Sequence, residues 1–182
     1  MRTKSLGILL LSAAFAISVT ACNQASSELS NATSSPVGAE QSRWKKLTTE
    51  GDAALKAGDK ATAEAKYKEA IETAKGLTAD SPAHAAAVAN LANFYYAQGD
   101  GAQANRLYSQ SLAMHEKALG LMHVDLVADL VGLAQVYVAE KKYDQAQASY
   151  ERAINISKQA NKPTVDLESE LATVKELSAK NK

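Results

Sequence analysis

The chain has 182 residues, 46% of them apolar and 22% charged, with twenty basic side chains balanced by twenty acidic ones. A balanced charge without a basic cluster or basic–aromatic interleaving argues against nucleic acid as a partner. The single cysteine excludes an internal disulfide.

Arg2 and Lys4 precede an uncharged run from Leu6 to Val19, followed by Thr20, Ala21 and Cys22. This is the order of an export signal: a basic start, a short apolar stretch and a small-residue cleavage site. The apolar run of 14 residues falls short of the roughly 20 needed to cross a bilayer. Val19-Thr20-Ala21-Cys22 resembles a bacterial lipobox. That resemblance implies removal of residues 1–21 and a covalent lipid on Cys22, with no other cofactor expected. A lone free thiol is a liability in an oxidising compartment, which favours lipidation over a plain signal peptide. By the same resemblance Asn23, in place of an aspartate, points to the outer membrane and a periplasm-facing protein. Loss of Arg2 and Lys4 leaves 18 basic residues against 20 acidic ones, a net charge of −2.

From Cys22 to Gln41 the composition turns to Ser, Ala, Asn, Thr, Pro and Gly. Such a segment buries too little apolar surface to offset its chain entropy. Residues 22–41 are therefore expected to be a flexible tether, spanning roughly 20–25 Å on average. Residues 42–163 are expected to form the folded repeat domain, and 164–182 a capping helix and tail.

Within the domain the sequence repeats. Leu91, Ala92, Tyr95, Ala104, Tyr108 and Leu112 recur 42 residues later as Leu133, Ala134, Tyr137, Ala146, Tyr150 and Ile154. An imperfect first copy lies 41 residues earlier, with Gly51, Gly58, Ala63, Tyr67, Ala70 and Ile71. A fixed period of this length marks a helical repeat array. Spacings of three and four place Ala63, Tyr67, Ala70 and Ala74 on one helix face, as they do Ala146, Tyr150, Ala153 and Ile154. Gly58-Asp59 and Gly99-Asp100 each supply a left-handed helix end and then an N-cap for the next helix. In the third copy Lys141 occupies the glycine position, so that turn is expected to be strained by about 1 kcal/mol or differently shaped. Pro82 suits the first turn of a helix. Leu167, Leu171 and Val174 form an apolar stripe suited to covering the last repeat.

The motifs Leu91-Ala92-Asn93-Phe94-Tyr95, Gln98-Gly99, Ala104-Asn105-Arg106-Leu107-Tyr108 and Lys117-Ala118-Leu119-Gly120 resemble the tetratricopeptide repeat. They are closest in form to its 42-residue kinesin-light-chain type. The resemblance covers about residues 43–160. It implies an all-α fold, a right-handed solenoid of about three helix pairs plus the C-terminal capping helix. It also implies that the first helix of each pair lines a concave groove. By position that groove takes Thr48, Asp52 and Leu55 from the first unit. The second unit supplies Ala89, Asn93, Tyr96 and Ala97, and the third Val131, Gln135 and Val138.

Chemistry finds little foothold. His84, His115 and His123 are the acid–base or metal candidates, and no spacing among them resembles a ligand pair on one helix face. Neither a phosphate loop nor a nucleophile elbow is present, so no catalytic or metal-binding residue is assigned and the chain is read as a non-enzyme. His123 falls at the repeat family's linker histidine, where a structural hydrogen bond near the turn is expected. Residues 83–98 carry no Lys, Arg, Asp or Glu, and 124–139 carry Asp125 and Asp129 but no base. That disfavours capture of a partner's C-terminal carboxylate by paired lysine and arginine. A groove of carboxamides with an exposed tyrosine suits a peptide or helix, contacted by Asn93, Tyr96 and Gln135. The sequence thus points to a lipid-anchored adaptor for another envelope protein. The alternatives are a structural or self-associating envelope protein and, more remotely, an accessory subunit of an envelope enzyme or of a pilus assembly system.

Overall fold

The computed structural model describes residues 36–77 and 81–181. The signal segment, Cys22 and most of the expected tether lie outside the described residues. The chain divides into two units, Met1–Ala39 and Glu40–Lys182, and the repeats belong to the second.

Every regular element among the described residues is an α-helix: α1 Pro36–Lys56, α2 Lys60–Leu77, α3 Pro82–Ala97, α4 Gly101–Leu119, α5 Leu126–Ala139, α6 Tyr143–Gln159 and α7 Val165–Lys180. Helices α1 and α2 form the first pair, α3 and α4 the second, α5 and α6 the third. Helix α1 begins at Pro36, six residues before the expected domain start, so residues 36–41 are helical rather than tether. The physical reason is local. Proline is pre-set for the first turn of a helix, and Ala39, Glu40 and Gln41 are strong helix formers that outweigh Gly38.

The turns inside the pairs share one construction. The N–H groups of Asp59, Asp100 and Lys142 donate to the carbonyls of Ala54, Tyr95 and Tyr137, at 2.9, 2.9 and 2.8 Å. This is the Schellman closure, in which the residue before the donor must adopt a left-handed conformation. Gly58 and Gly99 do so at φ 81° and 80°. Lys141 does so as well, at φ 59°, and Asn161 repeats it after α6 at φ 52°. The third turn therefore keeps the shape of the other two and carries the strain in its lysine. Asp59 and Asp100 then cap the following helices, accepting from the N–H groups of Thr62 and Gln103 at 3.0 Å each. Ser81 caps α3 with Pro82 in its first turn.

The core is a row of tyrosines set against small residues. Tyr67, Tyr108 and Tyr150 are 3%, 2% and 1% exposed, and Ala63, Ala92, Ala104, Ala134 and Ala146 are fully buried beside them. Two glycines make room for the rings. A Cβ on Gly51 would lie 3.0 Å from the Tyr67 ring, and one on Gly132 would overlap the ring of Tyr108. Small residues at these points let the helix axes approach closely. Trp44 of α1 packs with Ala74 of α2 and Ala87 of α3, which ties the first pair to the second. At the other end, Val174 of α7 is buried, and Leu167 and Leu171 are half-buried against Ala134, Ala146 and Tyr150. This apolar contact holds α7 as the expected cap. The exposed pairs Lys158–Glu168 and Lys175–Glu151 add little in water.

Two substitutions should move stability in opposite directions. Lys141→Gly should relieve the left-handed strain and raise stability by about 1 kcal/mol. Gly132→Ala should lower it by roughly 1–3 kcal/mol through overpacking against Tyr108, although alanine is the better helix former. Thermal melts of the two variants beside wild type check both signs.

Candidate functional site

On the first helix of the first two pairs, polar side chains expected to face the groove are tied to the tyrosine core. The Tyr67 hydroxyl donates to Asp52 Oδ1 at 2.6 Å, and the Tyr108 hydroxyl donates to Asn93 Oδ1 at 2.5 Å. Both links span 15 residues, from the second helix of a pair back to the first. Gln135 holds the equivalent place before Tyr150 and is exposed. With its carbonyl engaged below, Asn93 is oriented so that its N–H₂ group is the donor left for a partner.

The other expected groove residues are distributed as follows. Thr48 is half-buried, and its hydroxyl donates to the Trp44 carbonyl one turn back, at 3.1 Å. Tyr96 is 36% exposed. Its phenol lies near enough to Tyr108 and Tyr150 to help raise both: burial first, then Tyr96 and Asp129, pushes Tyr108 up to about 12. Burial, with Glu170 and Tyr96, pushes Tyr150 up to about 12. Val131 and Val138 are half-buried against the cluster of Ala134, Ala146, Tyr150 and Val174. Asn93 and Gln135, by contrast, are exposed.

A cleft of about 750 Å³ opens between α3 and α5. Ala86, Ala89, Asn90 and Asn93 line one side, Val124, Val127 and Ala128 the other, and Lys162, Asp166 and Leu167 close its end. A second cleft, of about 530 Å³, lies between the α5–α6 turn and the end of α7 and is walled by Lys141, Lys142, Asp144, Ser178 and Asn181. Its lining is mainly turn side chains, and of the two only the first cleft includes expected groove residues, Ala89 and Asn93.

The first cleft also contains what sequence spacing did not reveal. His115 of α4 and Asp129 of α5 are 5% and 1% exposed, with His115 Nδ1 2.7 Å from Asp129 Oδ2. Both residues line the cleft. Burial works against a charged imidazole here, but the hydrogen bond to Asp129, its attraction and a bond to the Pro82 backbone outweigh it. The His115 pKa therefore rises above its ordinary 6.5. Proline offers only a carbonyl, so the imidazole is the donor in that contact. The pair thus joins the start of α3, the end of α4 and the start of α5. Asp129 Oδ1 is buried without a hydrogen-bond partner.

The remaining histidine sites are structural. His123 Nδ1 accepts the Asp125 N–H at 3.3 Å in the turn before α5, the role expected for it. His84 is buried in the first turn of α3. Among the described residues no group of three or more His, Cys, Asp or Glu side chains converges on a metal position. Among them, too, no helix is long and apolar enough to cross a membrane.

A model of the tetratricopeptide repeat family matches residues 84–159. No curated protein matches the sequence. Among solved structures, the fold is similar to that of BtubC (BKLC) from P. vanneervenii, with 18% identity and a TM-score of 0.66. That match covers 75% of this chain but 56% of the other, so the chain spans little more than half of that protein. It is similar also to a Podosopora anserina kinesin-light-chain-like protein of nearly identical TPR-like repeats. There the identity is 23% and the TM-score 0.67, over 76% of this chain and 68% of that one. A third similar structure is the first TPR of Spaghetti (RPAP3) bound to an HSP90 peptide. It shows 16% identity and a TM-score of 0.60, over 76% and 98% of the two chains. At these identities the likeness is one of fold.

The His115–Asp129 pair gives a signed pH dependence. A pKa raised by folding adds stability that is complete below the unfolded value, about 6.5, and is lost as pH climbs through the folded value. The melting midpoint of wild type should therefore fall relative to His115→Gln as pH is raised from about 6 to about 9. A constant difference between the two across that window would contradict the assignment.

Proposed function

Because residues 84–159 are tetratricopeptide repeats and the flanking helices continue the same array, we propose that this protein is a lipid-anchored adaptor of the bacterial cell envelope. Its inner face holds a peptide or helix of another envelope protein. The observation that carries the binding reading is the α3–α5 cleft, with Asn93 on its wall and Tyr108 fixing the orientation of that side chain. A groove of pre-oriented polar groups costs a partner little ordering, and pre-organisation of this kind is what turns contact area into affinity. Small apolar side chains, Ala86, Ala89 and Ala128, leave room for a bulky segment between the helices.

The TPR of Spaghetti (RPAP3) is bound to an HSP90 peptide, which supports peptide capture as a use of this fold. The fold alone does not choose a partner, so the site argument rests on this chain's own cleft. The anchoring half of the proposal rests on sequence: the export signal and Val19-Thr20-Ala21-Cys22. Two or more acyl chains on Cys22 would give stable attachment to the outer membrane. Self-association end to end is disfavoured at the C-terminal side, where α7 already occupies the apolar face of the last pair.

One experiment tests both halves. Wild type, the Asn93→Ala/Tyr96→Ala double variant and Cys22→Ser are expressed in a double-membrane bacterium, crosslinked in intact cells and fractionated. An envelope protein captured by wild type should be lost from the double variant, which should stay folded with a loss of roughly 1–3 kcal/mol because the buried Tyr108 hydroxyl loses its acceptor. Cys22→Ser should leave the membrane fraction while remaining folded. Equal capture by the double variant would move binding off the inner face, and retention of Cys22→Ser in the membrane would end the lipid-anchor reading.

A further inference from the structure

Taking the α3–α5 cleft as the binding site, we infer that it selects a partner segment through a basic side chain, lysine or arginine, directed at Asp129. The inference rests on the adaptor reading and gives it a chemical preference.

Three observations converge. Asp129 lines the cleft and is 1% exposed. One of its oxygens is held by His115, and the other is buried with no hydrogen-bond partner. A buried carboxylate oxygen left without a donor is costly, and a donor N–H brought by a partner would relieve that cost. The charges around the cleft favour a cationic donor. Asp125 and Asp166 flank it, both exposed, and Lys162 is the sole lysine or arginine in its lining. His115 is already engaged by Asp129, at 2.7 Å. An anionic ligand would meet three carboxylates there. The walls suit the remainder of a basic side chain, since Ala86, Ala89, Val127 and Leu167 offer apolar surface to the methylene stem while the charged end reaches the carboxylates. A donor N–H on Asp129 Oδ1 would complete a chain running from the ligand through Asp129 and His115 to the Pro82 backbone. Charge-assisted bonds of this kind are the strong ones.

The test selects random 12-residue peptides on the immobilised full chain and measures the winners by calorimetry. Cleft binders are those that Ala89→Trp, a variant checked by its melt, no longer holds. These should share a lysine or arginine. Replacing that residue by norleucine should weaken binding about tenfold to a hundredfold, the range for a charge-assisted hydrogen bond. Asp129→Asn should produce a loss of similar size, and the two losses should not add. If Asp129→Asn fails to fold, Asp125→Asn and Asp166→Asn replace it. Each exposed carboxylate should then contribute a severalfold, salt-sensitive loss with basic peptides and none with their norleucine forms. Cleft binders that lack a basic residue, or that tolerate norleucine, would overturn this inference and leave the cleft as a binding site. If no selected peptide depends on Ala89, the cleft reading and the inference both fall.

Discussion

Close approach of helices around a buried aromatic ring is the constraint from which the rest of the array follows. Tyr108 sits in a seat made by Ala92 and Ala104 of its own pair and by Gly132 of the next. A ring contributes large buried area, but only if the neighbouring helices carry almost nothing at the points of contact. The alternation of tyrosine with alanine and glycine is therefore a packing requirement, repeated because each pair must bury its face on the next. The left-handed turns serve the same end by reversing the chain tightly enough to keep successive helices antiparallel and adjacent.

The second organising element is the His115–Asp129 pair, which lies where three helices from two repeats meet. Buried ion pairs contribute little net stability when compared with apolar packing, yet breaking one partner away is costly. The pair is thus better suited to fixing how the second and third repeats sit against each other than to adding strength. It also places a carboxylate on the wall of the inner cleft that simple apolar packing would not have put there.

Much of this architecture was readable from the sequence, and the boundary of what was readable has physical causes. Tyr67, Tyr108 and Tyr150 announce the repeat because each must meet the same small neighbours. Asp59, Asp100 and the glycines before them announce the turns because capping and positive φ admit few residue types. Asn93 and Asp52 were expected at the groove by position, but their bonds to tyrosines 15 residues away were not legible. The His115–Asp129 contact was illegible for a related reason. Ligand spacings on a single helix cannot reveal a pair whose members stand on different helices, on either side of the Leu121-Met122-His123 turn. The start of α1 at Pro36 was obscured by composition, since serine, proline and glycine upstream read as one uninterrupted linker.

The bonds from core phenols to inner-face side chains have a practical consequence for locating the contact surface. Under the proposed adaptor reading, a scan that scores each position only by loss of capture returns Tyr108 beside Asn93, although the tyrosine itself is buried. Removing only the phenolic oxygen while keeping the ring would separate the two effects: the seat stays filled and Asn93 is released to rotate. Conversely, evolution or engineering that alters the groove's polar residues changes what the core hydroxyls must satisfy. In this protein the side chains of the proposed contact surface share hydrogen bonds with the structural interior, so neither drifts without the other.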